Sequence, residues 1–113
     1  MTDPDPKFAA TDDNARELAE IPAVEVITRA AVLLMSASAE KLGLAPDGDE
    51  HLDLDEARRL ITALAGLVAA SQEYLGVHRQ PLRDGLRTLQ EAFREASRYP
   101  DAVGEGPGEK YLR

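Results

Sequence analysis

Leu54, Ala57, Ile61, Leu64, Val68, Ser71 and Leu75 recur at intervals of three and four residues. No other feature of the chain restricts its fold as tightly. Such spacing keeps seven side chains on one stripe of an α-helix and would scatter them over both faces of a strand. The stretch begins "DLDE", with Asp53 placed to cap the first turn and Glu56 three residues on, a capping-box arrangement with Asp in the cap role. It stops at Gly76–Val77, a glycine-plus-apolar pair that suits a left-handed helix end. A second seam of the same rhythm follows in Leu82, Leu86, Leu89, Phe93 and Ala96, from Pro81 to about Tyr99, with Pro100 ending it. The five residues Gly76–Gln80 between the seams are short enough to fold the two helices back as antiparallel neighbours.

A third helix is expected ahead of these, from Pro22 to Leu42, closed by Gly43–Leu44. It contains "AAVLLMSASA" (residues 30–39), without charge, Gly or Pro, and its apolar residues cover almost the whole circumference. A helix apolar all round must be buried all round. The uncharged run is about half the ~18 residues a membrane span needs, and Glu25 and Arg29 share the helix, so no membrane role is expected. Two neighbours in a three-helix domain leave one side uncovered. The second helix carries an additional stripe, Leu60, Leu67 and Tyr74, that one partner would leave wet. The expectation is therefore an all-α, three-helix antiparallel bundle over residues 21–99, dimerised through the first helix in a coiled-coil manner. Self-association falls to Ile27, Ala31, Leu34, Met35, Leu60, Leu67 and Tyr74.

Residues 1–20 read as a mostly disordered N-terminal tail, with a helical turn or two over 12–20, and residues 100–113 as a flexible, Gly/Pro-rich C-terminal tail. No strand pattern and no internal repeat is present. The acidic, Pro-containing start "MTDPDPKFAATDDN" is the reverse of a secretory signal, and a cytoplasmic location is expected.

Charge is unevenly distributed. Residues 1–56 carry 14 acids and 4 bases, whereas residues 57–99 carry 4 acids and 7 bases, within a chain of net charge −8. Arg79, Arg83, Arg87, Arg94 and Arg98 fall within an arc of about 100° on the last helix. This ridge could meet an acidic protein partner or RNA phosphate. It could equally be a solvated face paired internally through Asp84–Arg87, Arg87–Glu91 and Glu95–Arg98. The overall negative charge disfavours unspecific nucleic-acid binding.

Catalytic chemistry finds no support. The chain has no Cys, which removes thiolate metal sites and Cys nucleophiles. "DGDEHLDLDE" (Asp47–Glu56) resembles a calcium loop only in composition, since Gly48 stands second rather than sixth, and acids suit a helix N-terminus. His51 and His78 lack a matching ligand pattern. "GEGPGEK" lacks the Gly-Lys-Ser/Thr order and the preceding strand of a phosphate loop. No cofactor, metal or small-molecule substrate is expected.

"PAVEVITRAAVLLMSASAEKLGL", "HLDLDEARRLITALAGLVAASQEYLG" and "PLRDGLRTLQEAFREAS", in this order, are similar to a family of short bacterial proteins defined only as a domain of unknown function. The resemblance covers about 70% of the chain. It implies a small all-α cytoplasmic domain, no known activity and no functional residue to carry across.

Overall fold

The computed structural model describes residues 18–112; the expectations placed on residues 1–17 lie outside the described residues. Three long helices dominate: α1 (Ala23–Lys41), α2 (Leu54–Ser71) and α3 (Arg79–Ala96), with short 3-10 turns at Gly48–His51, Gln72–Tyr74, Gly76–His78 and Glu109–Leu112. No strand occurs among the described residues.

The ends of α1 follow from local chemistry. Pro22 is the N-cap rather than the first helical residue, and its carbonyl accepts from Glu25 (3.0 Å). At the other end Gly43 takes φ +74°. The Leu44 amide donates to Ala39 O (2.9 Å) and the Gly43 amide to Glu40 O (3.1 Å). These are the two crossed bonds of a Schellman motif.

At α2, Asp53 accepts from the Glu56 amide at 3.1 Å. The reciprocal half of the capping box is absent. Glu56 turns to Arg59 (3.2 Å), and the Asp53 amide donates to Lys41 O at 2.8 Å. A cap bond within α2 is thus exchanged for a tie to the end of α1. Asp53→Ala is expected to cost about 1 kcal/mol of stability, read as a lower urea midpoint; an unchanged midpoint would show the cap to be idle.

Three further boundaries, in α2 and α3, differ from those read in the sequence. α2 gives way to a 3-10 turn at Gln72, short of Leu75, after Ser71 bonds back to the Leu67 carbonyl, a contact that bends helices. α3 starts at Arg79, so Pro81 is its third residue; a first-turn position needs no amide donor. α3 stops at Ala96 rather than Tyr99, because Ser97 is extended (φ −79°, ψ 127°) and its hydroxyl donates to Phe93 O at 2.6 Å.

The core joins Ala31 and Leu42 of the α1 segment to Ala57, Ile61, Leu64, Ala65 and Val68 of α2, Leu75, and Leu82, Leu86, Leu89 and Phe93 of α3. Both predicted seams therefore meet in one core. Met35 reaches α3 at Gly85, where a Cβ would overlap the Met35 methyl. A mid-helix Gly costs about 1 kcal/mol against Ala, and here it admits that side chain.

The stretch read as a flexible tail lies along α2 and α3. Gly106, Pro107 and Gly108 are buried, and the turn Glu109–Leu112 packs on α2. The reason is local: Gly108, at φ +72°, presses its backbone onto Ala65 where no side chain would fit.

Candidate functional site

α1 is where apolar surface outruns the core. Ala31 is fully buried, and Ile27, Leu34 and Met35 are half-buried and packed on the core. Four of the residues expected to meet a second chain thus face inward. The solvent side of the same helix carries Leu33, 71% exposed, and Val32, 50% exposed. Leu33 belongs to a stripe with Val26, Ala30 and Ala37, spaced four, three and four residues apart. The stripe was legible in that spacing, but the apolar circumference gives no single face to choose from.

On α2, Leu60 and Leu67 are half-buried, and Tyr74, in the 3-10 turn that follows, is 63% exposed. Ala63 and Ala70 lie between them on the same stripe and are exposed. Met35 and Gly85 mark the side of α1 turned to α3. By helical geometry the Val26–Ala37 and Leu60–Tyr74 stripes both lie on the flank of the α1–α2 contact away from α3. The two stripes together form an apolar surface with no ionisable side chain between Val26 and Ala37 except Arg29, which pairs with Glu25 at 3.4 Å.

The Arg ridge divides into two groups. Arg79, Arg87 and Arg98 are exposed, and Arg83 and Arg94 are half-buried. None of the three internal pairs expected from spacing comes within ion-pair distance. Asp84 instead accepts from Gln80 at 2.8 Å, Arg94 donates to the Asp101 carbonyl at 3.1 Å, and Arg98 lies over the Tyr99 ring, 5.5 Å from its centroid. Arg58 of α2 pairs with the Asp101 carboxylate at 2.9 Å. The lower half of the ridge therefore borders the C-terminal segment, and the upper half, Arg79, Arg83 and Arg87, faces solvent or half-faces it.

Two depressions open beside α1. One of about 430 Å³ is lined by Pro22, Val24, Glu25, Thr28, Arg29 and His78. Another of about 390 Å³, between α1 and α3, is lined by Val32, Met35, Ser36, Ala39, Gly85, Thr88 and Leu89. The second is walled by aliphatic groups and hydroxyls and offers nothing to hold a charge. The loop after α1 brings Glu40, Asp47 and His51 together, with ligand atoms within 4.8 Å of one another and His51 Nε2 3.7 Å from Asp47 Oδ2. The sequence reading missed Glu40, which lies seven positions before Asp47 and joins the group only because the Schellman turn reverses the chain. Asp47 and His51 stay exposed. No helix among the described residues is long and apolar enough to cross a membrane.

Residues 23–95 match the model of a family described as "Domain of unknown function (DUF1844)". No curated protein and no solved structure matches the chain.

Proposed function

The chain belongs to the DUF1844 family, and from that premise we propose that it is a small, non-catalytic interaction protein of the cytoplasm that pairs with a second copy of itself. The pairing surface is the outer flank of α1 and α2, with the three helices of each protomer running antiparallel in sequence. One observation carries this reading: Leu33, in the middle of a helix, is 71% exposed within an otherwise uncharged stripe. Contiguous apolar surface on a small chain marks an interaction site, and the four-three-four spacing of Val26, Ala30, Leu33 and Ala37 suits interlocking with a like helix. Light scattering after size exclusion at micromolar concentration is expected to give twice the 12.3 kDa chain mass. A particle of 12.3 kDa would remove the proposal.

A second reading uses the ridge. Arg79, Arg83 and Arg87 carry no acidic partner in the ion pairs of the described residues, which favours RNA or a ribosomal surface as an alternative ligand. Replacing Arg83 and Arg87 together by Glu is then expected to abolish cosedimentation with ribosomes while helicity stays intact, and added salt to weaken it steeply. Cosedimentation indifferent to salt would count against this alternative.

A further inference from the structure

The flank of α2 and α3 beneath the C-terminal segment has the features of a peptide site with its ligand in place. At one end the Asp101 carboxylate meets Arg58 at 2.9 Å and its carbonyl accepts from Arg94 at 3.1 Å. The Arg58 guanidinium also lies over the Phe93 ring, 4.8 Å from the centroid, which fixes its orientation. At the other end Gly106, Pro107 and Gly108 are buried. Gln90 donates to the Pro107 carbonyl at 3.0 Å, and Glu109 folds back to accept from the Gly106 amide at 2.8 Å. Gly108 sits where a Cβ would overlap the Ala65 side chain. The flank thus reads an acidic residue and, seven positions on, a glycine at positive φ against Ala65.

The matched family domain ends at residue 95. The groove belongs to that domain, and the segment that fills it does not. We propose that this flank is a peptide-docking groove, occupied here in cis by residues 101–112, and that its partner in trans is the same segment of a second copy. Exchange of a terminal segment keeps each of these contacts and costs only the tether. The tether also sets the balance. A segment joined through the four residues 97–100 is held at an effective concentration of about millimolar, so the cis form dominates until it is weakened. This site is separate from the α1–α2 flank and does not depend on it.

The test uses the full chain and a labelled synthetic peptide of residues 99–113. Gly108→Val forces a β-branched residue to positive φ against Ala65 and should unseat the segment. The variant is expected to bind the peptide at least about tenfold more tightly than the unsubstituted chain, whose own segment competes. Adding Arg58→Glu should abolish that binding. If Gly108→Val fails to fold by circular dichroism, Asp101→Arg serves in its place. Mixing an Arg58→Glu chain with an Asp101→Arg chain, both also carrying Leu33→Glu to silence the other flank, should give a one-to-one heterodimer, because only exchange pairs opposite charges at both grooves. A folded, unseated variant that ignores the peptide, binding indifferent to Arg58→Glu, or a mixture that stays monomeric would each overturn the proposal.

Discussion

Leu33→Glu is expected to convert the protein from dimer to monomer without loss of helicity, whereas Leu34→Glu, one residue on, is expected to lower the stability of each protomer. Leu33 is 71% exposed, so a carboxylate there stays hydrated in the monomer. In the dimer it would lie unpaired against the like position of the second copy, at a cost that apolar seams cannot offset. Leu34 is half-buried and packs on the core. A polar group there costs about 1–3 kcal/mol beyond the lost apolar contact. The two measurements are mass by light scattering and the urea midpoint. Equal behaviour of the two variants would mean that α1 has no free face, and the proposed pairing would go with it.

The second large effect is on the core. Leu64→Ala is expected to lower the unfolding free energy by about 2–5 kcal/mol. Leu64 is fully buried in the core that residues of all three helices share. Truncation leaves a cavity that rigid helices cannot close. Against a total of about 5–15 kcal/mol for a domain, that is a large share of the margin. The urea midpoint should fall with an unchanged slope, since the same surface is exposed on unfolding. Val77→Ala, at a position 85% exposed, should stay within about 0.5 kcal/mol. A Leu64 variant as stable as Val77→Ala would show that the three helices do not share one core.

Much of this was legible in the order of residues. The seams Leu54–Leu75 and Leu82–Ala96 name most of the buried positions of α2 and α3 because a helix repeats every 3.6 residues, although Ala96 at the end of α3 is exposed and Ala65 is buried off the seam. Asp53 and Gly43–Leu44 place two helix ends because capping is a contact between residues three to five apart. Tyr74 and Leu60 were read as a second stripe on the same grounds. The assignments that failed depend on contacts between residues distant in sequence. Ile27, Ala31, Leu34 and Met35 are indistinguishable from Leu33 and Val32 by composition, and packing on α2 and α3 sorts them. None of the pairs weighed along the Arg ridge forms; Arg94 bonds instead to the carbonyl of Asp101, seven residues on, whose carboxylate also meets Arg58 of α2 from 43 residues away.

The C-terminal segment marks the boundary most clearly. Its glycines and prolines speak locally for a loose chain, yet it is packed down and ends in a 3-10 turn over Glu109–Leu112. Whether such a chain stays loose depends on finding a surface that accepts bare backbone. Ala65, small and central on α2, provides it, and Gly108 fits against it. The sequence by itself determined three helices, the inward stripes of α2 and α3 and the caps at Gly43 and Asp53, because those are set by interactions within a few residues. Only the tertiary structure decided which side of α1 is left open and where residues 101–112 lie, because both are set by the competition of surfaces that the chain brings together only on folding.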